Sequence, residues 1–197
     1  SVQRRVALRI AMAYRTVSTV AAQVVAGVIP IHLAVDERRR MYEAEGPREE
    51  VERAEREVTL SKWQQEYDGS DKGRWTRTLV TDVKEWTGRK HGEVTYFITQ
   101  FLTGHGSFGS YLLRIQKSPN EECIYCGETD TAEHTVFECP RSLRERTDME
   151  VAVGFPITRG NLIATALSSK SAWDHTLGVI HSIMRRKEED MRRMQQQ

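Results

Sequence analysis

The sequence predicts a mainly α protein with a small metal-stapled insert, on three observations. Apolar residues recur every three to four positions over most of the 197 residues, the spacing of one helix face. Period-two alternation, the mark of a half-buried strand, is almost absent. Every cysteine falls within one run, Cys123-x2-Cys126-x7-His134-x4-Cys139, and three thiols with one imidazole match a closed tetrahedral zinc site. Hydrophobic residues at 39% and charged residues at 29% support a modest core, one domain or one domain with a small module.

Residues 2 to 26 read as one amphipathic helix, with Val6, Ile10, Ala13, Val17, Val20 and Val24 on its apolar face and Gly27 as its stop. Pro30 opens a second helix that runs to about Glu45, and Gly46-Pro47 breaks it. Residues 48 to 67 are helical and charge-dense. Their apolar stripe of Val51, Ala54, Val58 and Trp63 is thin, so this run reads as a solvated face. Asp68 to Gly73 is a loop. The next helix covers 74 to 87, with Trp75, Leu79, Val83 and Trp86 at helical spacing. A helical stretch follows at 93 to 104; after Gly104-His105-Gly106 comes a short apolar helix from Phe108 to Gln116. The knuckle occupies Pro119 to Pro140. Short helices near 141 to 150 and 159 to 168 precede a last one from about Ala172. It carries Trp173, Leu177, Ile180 and Ile183 into Arg185-Arg186-Lys187-Glu188-Glu189-Asp190 and three glutamines, which reads as a fraying, solvated helix or a basic RNA-binding tail. The regions are then 1–67, helical; 68–118, a helical linker with a basic segment; 119–140, the knuckle; and 141–197, C-terminal helices.

Cys123 and Cys126 can chelate because a tight turn brings their sulfurs to one point, and Gly127 permits the positive φ such a turn needs. His134 and Cys139 are five apart, as on a short helix and its exit, and Pro140 stops it. Four soft or borderline donors leave no open position for water, so the expected Zn2+ is structural rather than catalytic. Glu133 and Glu138 flank the ligands and raise the alternative of a metallohydrolase, but H-E-x-x-H is absent. A metal explains three cysteines better than disulfides do, which points to a reducing compartment, nucleus or cytoplasm. No apolar run approaches a membrane span, so no membrane partner is expected. No small-molecule substrate is expected either. The chain starts without Met and goes straight into helical periodicity, as a fragment of a longer protein would.

Net charge is +1, which by itself does not announce a nucleic-acid binder. The distribution is more telling. Residues 36 to 57 hold nine acids and six bases, whereas 72 to 90 hold six bases and two acids. Lys72, Arg74, Arg77, Arg89 and Lys90 are therefore candidate phosphate contacts, with Trp75 as a stacking group or a core anchor. Trp86 reads as a core anchor. His105, between two glycines, is either a phosphate or sugar contact or a helix-end histidine bonded to a local carbonyl. Tyr125 and Phe137 form either a stacking platform or a minicore over the metal. Arg141, Arg144 and Arg146 either neutralise phosphates or sit on a solvated helix. Tyr14 and Arg15 complete the candidates, with Tyr14 equally at home in the core.

Two blocks resemble a known family. Val2-Gln3-Arg4, Ala13-Tyr14-Arg15-Thr16, Ala26-Gly27 and Pro30-Ile31 look like the thumb of insect LINE-type (non-LTR) retrotransposon reverse transcriptases. Phe101-Leu102-Thr103-Gly104-His105-Gly106, Tyr111-Leu112, the two-cysteine turn and Glu133-His134-x-x-Phe137-x-Cys139-Pro140 look like the C-terminal Cys-Cys-His-Cys region of the same polyproteins. The blocks span roughly residues 2 to 146. One departure is Ser142-Leu143, where such proteins often carry a Trp after Cys-Pro-Arg. The resemblance implies a parent that copies its RNA into DNA at a nicked chromosomal target. Its thumb, here 1–67, packs on the template–primer duplex, and its zinc region contacts RNA or target DNA. The chain itself has no Asp-Asp pair, the carboxylate arrangement a two-magnesium polymerase site uses, so it is expected to be non-catalytic. Its expected partners are RNA and/or DNA and the rest of the parent reverse transcriptase. The alternative is a zinc-stapled helical protein-interaction module derived from such an element.

Overall fold

The computed structural model describes residues 1–196. Helices dominate, and among the described residues the sole β pairing is an isolated antiparallel bridge between Glu122 and Thr129. The first expected helix is two. α1 is Val2–Ile10 and α2 is Thr19–Ala26. Met12 turns the chain with φ of 52°, a left-handed conformation that a helix cannot propagate through. Arg4 then donates to the carbonyls of Arg15 and Val17 at 2.7 and 2.8 Å, satisfying the turn. Ser18 caps α2, and Gly27 ends it in the left-handed conformation. The buried face of α1 is Ala7 and Leu8, with Ala11 just beyond; Val6 and Ile10, expected inside, are exposed.

α3, Ile31–Glu43, and α4, Arg48–Asp68, form an antiparallel hairpin joined at Gly46-Pro47. The charge-dense run is clasped rather than merely solvated. Arg40 pairs with Glu55 at 2.5 Å and donates to Thr59 at 2.9 Å, and Arg56 pairs with Glu37 at 2.9 Å. Thr59, Trp63 and Tyr67 make its buried stripe. The helix expected over 74 to 87 also divides, into α5, Arg74–Leu79, and α6, Val83–Gly88. Asp82 causes the second start by accepting from the Glu85 amide at 2.7 Å, an N-cap that outcompetes helix continuation. Trp86 of α6 is wholly buried against α2, its indole donating to the Val24 carbonyl at 2.9 Å.

α7, Tyr96–Thr103, and α8, Gly109–Arg114, flank the Gly104-His105-Gly106 turn. After the knuckle come α9, Leu143–Val153; α10, Leu162–Ser168; and α11, Lys170–Gln195. α11 is the long axis of this half, packing on α7, α9 and α10. One apolar core draws on nearly the whole length, from Val24, Trp63 and Trp86 to Phe101, Val136 and Leu177. A smaller cluster of Ala7, Leu8, Val17, Ala21 and Ala22 lies between α1 and α2. No single helix among the described residues is long and apolar enough to cross a membrane. α11 is helical through the C-terminal stretch, as expected, but it is not wholly solvated: Lys187 at 1% and Glu188 at 8% exposure are buried. Lys187 lies ten positions after Leu177 on the same helix face as Ile180 and Met184, so it continues the buried stripe. Gln197 lies outside the described residues.

Candidate metal centre and its surroundings

The two-cysteine turn is built by backbone. The Cys123 amide donates to the Glu128 carbonyl at 2.7 Å, and the Gly127 amide donates to the Cys123 carbonyl at 2.9 Å. Gly127 has φ of 81°, which a residue with a Cβ adopts only at a cost. Asp130 then donates its amide to the Glu121 carbonyl at 2.7 Å, closing the loop. The other two ligands sit on a single π-helical turn, His134–Glu138. The Cys139 amide reaches back five residues to the His134 carbonyl at 2.7 Å. That wider turn puts the imidazole and the exiting thiol on one side, and Pro140 starts a short 3-10 turn that ends it.

The four donor atoms of Cys123, Cys126, His134 and Cys139 all lie within 4.8 Å of one another. Cys123 Sγ and Cys139 Sγ are 3.8 Å apart, and Cys126 Sγ is 3.3 Å from His134 Nε2. A tetrahedral ion with bonds of about 2.3 Å to sulfur and about 2.05 Å to nitrogen spaces its ligands at about 3.8 Å (S to S) and about 3.6 Å (S to N). The cluster thus has the dimensions to hold a metal. His134 Nδ1 faces Glu138 at 3.5 Å, a carboxylate placed to orient the ring. Glu133 pairs with Arg159 at 2.9 Å instead. Burial pushes the Cys123 thiol up to about 12, so a bound cation is what would hold it as thiolate.

The knuckle is anchored by a buried polar hub that spacing alone does not reveal. Asp130, 1% exposed, accepts through Oδ2 from the Gly109 amide at 2.7 Å and through Oδ1 from Thr135 Oγ1 at 3.0 Å. Lys187 of α11 pairs with the same Oδ1 and donates to Thr135 at 2.6 Å. Its ammonium lies 5.0 Å from the Phe108 ring centroid. Burial lowers the Lys187 pKa, and Asp130 opposes that shift. Gly109 lets the loop approach, since a Cβ there would meet the Glu121 backbone at 2.7 Å. Beside it, Glu188 accepts from Gln100 at 2.9 Å, and Gln100 accepts from the Ser107 amide at 2.8 Å. The one sequence signal for this hub was Lys187 in register with an apolar stripe.

The expected nucleic-acid contacts fall into two groups. Several are engaged in the protein. Tyr125 donates to Asp190 at 2.7 Å with the Arg141 guanidinium 5.7 Å from its ring centroid. Phe137 packs edge-on to Phe101 against the core. Trp75 donates to the Phe101 carbonyl at 2.6 Å. Arg77 donates to the Tyr67 carbonyl at 2.7 Å. Arg89 donates to the Trp86 carbonyl with its guanidinium 4.1 Å from the Trp86 ring centroid. Arg146 donates to the Cys139 carbonyl at 2.8 Å, latching α9 to the knuckle. Tyr14 and Tyr96 share a hydroxyl contact of 2.5 Å. The others face solvent: Arg15, Lys72, Arg74, Lys90, Arg141 and Arg144 are exposed, and Arg144 is 3.9 Å from Asp148.

His105 is half-buried. Its Nδ1 lies 2.7 Å from the Thr103 carbonyl and its Nε2 lies 3.1 Å from Arg114 Nη2. A carbonyl only accepts and a guanidinium only donates, so the proton is on Nδ1 and the ring is neutral. Burial first, and the nearby Arg114 charge, push its pKa below the ordinary value, against the raising effect of the Thr103 carbonyl.

A helical chain carrying a closed Cys3His ligand set defines the class, a helical protein with a knuckle able to hold a metal. Its homologues are Pol polyproteins of R1 retrotransposons. The chain is 32% identical to the Retrovirus-related Pol polyprotein from type-1 retrotransposable element R1 4 of Nasonia vitripennis, over 74% of this chain and 42% of that protein. It is 32% identical to the R1 2 counterpart of the same species, over 71% and 39%, and 33% identical to the R1 Pol polyprotein of Popillia japonica, over 51% and 40%. The chain spans about two-fifths of the length of these curated relatives. No family model matches it, and no solved structure matches it.

Proposed function

We propose that this chain is a non-catalytic, nucleic-acid-binding part of an R1-type reverse transcriptase polyprotein, engaging element RNA or target DNA during target-primed reverse transcription. The observation that carries this reading is the closed four-donor cluster, found in a chain whose homologues are retroelement Pol polyproteins. The metal is proposed to be zinc, which three thiols and an imidazole at tetrahedral spacing favour. Its role is structural: four protein donors leave water no coordination position, and Glu133 is paired with Arg159. The zinc holds the knuckle against α8 and α11, which presents Arg141 and Arg144 to solvent. Residues 1–67 correspond to a thumb, and the rest of the polyprotein supplies the polymerase carboxylates, a reading supported by the lack of an Asp-Asp pair in this sequence. Free cysteines fit a reducing nuclear and cytoplasmic life.

The test is the salt dependence of binding. The affinity of the zinc-loaded chain for RNA and for duplex DNA is expected to fall steeply and linearly with log salt, about 0.7 to 0.9 in slope per phosphate contacted. Binding no stronger than a neutral control at low salt refutes the reading. A salt-independent protein partner would then favour the second reading, an interaction module, for which the exposed row of Val2, Val6 and Ile10 on α1 speaks.

A further inference from the structure

We infer that the cleft between the 16–21 segment, the Lys72-Gly73 turn and the end of α8 is an anion site that takes a phosphodiester of a nucleic-acid strand. It encloses 290 Å³ and is lined by Thr16, Ser18, Lys72, His105 and Arg114 among others, with no carboxylate. That is at the lower end of the pockets of about 300 to 1,000 Å³ that hold drug-sized ligands, and leaves room for an oxyanion with its waters.

The cleft is built around Arg114. The Tyr111 ring supports its guanidinium from 5.4 Å, and neutral His105 accepts one of its five N–H groups at 3.1 Å. Thr103 fixes His105 in the tautomer that accepts, and Thr16 holds the Tyr111 hydroxyl at 2.8 Å. This chain of contacts orients the guanidinium yet leaves four of its donors without a protein acceptor among the described residues. Neither Arg114 nor Lys72 pairs with a carboxylate among the described residues. Two cations lining one carboxylate-free cleft repel, and an anion bound between them reverses the sign of that interaction. Ser18 and Ala21, at the amino end of α2, add a hydroxyl and the positive end of a helix. A planar guanidinium fork with hydroxyls matches a phosphate's oxygens. A strand, rather than free phosphate, is favoured by what adjoins the cleft. Arg15 precedes Thr16 and Arg74 follows Gly73; both are exposed and lack ion pairs among the described residues. Two further exposed cations are thus one residue away in sequence from lining residues, as a strand with successive phosphates would use. Arg114 is the direct contact, and His105 is a positioning residue acting through it.

This assignment rests on the reading that the chain binds nucleic acid, and two measurements separate them. Inorganic phosphate titrated into the intact metal-loaded chain near neutral pH is expected to shift the His105 imidazole resonances saturably, and to leave them unmoved in Arg114→Gln. A flat titration of the unaltered chain overturns the site, whatever the chain does with nucleic acid. In the second measurement, Lys72→Gln combined with Arg114→Gln weakens binding of labelled single-stranded RNA roughly tenfold and lowers the salt slope by about 0.7, one phosphate on a single strand. Arg159→Gln combined with Lys170→Gln, the same loss of two charges at exposed positions outside the cleft, leaves both unchanged. If the double variant binds RNA like the unaltered chain, the strand assignment fails and the cleft binds free phosphate. If the unaltered chain binds phosphate but no RNA or DNA, the strand assignment and the proposed function fail together.

Discussion

Lys187 and Asp130 decide how the knuckle is attached. Both are 1% exposed and they are 57 positions apart in the chain. Breaking a buried pair by removing one partner leaves an uncompensated charge. Lys187→Met is therefore expected to destabilise the protein by about 3 to 5 kcal/mol, measured by urea unfolding of the metal-loaded chain. Adding Asp130→Asn removes the stranded charge while keeping an acceptor for the Gly109 amide, so the double variant should recover part of the loss. A double variant no more stable than Lys187→Met would mean that Lys187 acts by packing alone. The four-donor cluster was legible because chelate spacing is local: spacing within seventeen residues dictates the turn. The hub was not, because nothing near Asp130 in sequence announces a lysine from α11. Trp75 illustrates the same limit. Its type fits a stacking group or a core anchor, and only the fold shows its indole donating to the Phe101 carbonyl; Arg89 is held mainly by Trp86, three residues away.

Helix number was misjudged wherever a local device beat periodicity. Val6 to Val24 keep helical spacing through residues 11 to 18, but the chain reverses there at Met12. The satellite cluster between α1 and α2 requires that reversal, since Ala7 and Leu8 pack on Ala21 and Ala22. Met12→Gly tests it. In an unbroken helix glycine costs about 1 kcal/mol. In the observed left-handed turn it removes steric strain of roughly 1 to 2 kcal/mol, partly offset by added freedom in the unfolded chain. Stability unchanged or raised by up to about 1 kcal/mol is expected from thermal unfolding. A clear loss would restore the single helix. The split at Asp82 has the same character: an aspartate able to cap sits inside the helical spacing of Trp75, Leu79, Val83 and Trp86. The α3–α4 hairpin, by contrast, was readable in outline, because Gly46-Pro47 is an unambiguous break and Trp63 marks the inward face.

Across the whole molecule the knuckle joins the α8 and α11 layer to its neighbours, so metal and fold should be coupled. Stripping the metal with a chelator is expected to raise amide exchange across 119–140, in α8 and in α11 from about Met184 onward, while the α3–α4 hairpin stays protected. Cys126→Ser, which removes the one exposed ligand, should reproduce that pattern without chelator. Exchange rising only within 119–140 would show that Asp130, Lys187 and Tyr125 do not transmit the loss. By itself the sequence determined the helical class, the ligand set and the resemblance to retroelement polyproteins, because periodicity, chelate spacing and short motifs are properties of neighbours in the chain. The tertiary structure alone decided where the first helix breaks, which charges are buried, and that Lys72, His105 and Arg114 meet at one cleft. Those outcomes depend on desolvation and on partners tens of residues away, and no local pattern encodes either.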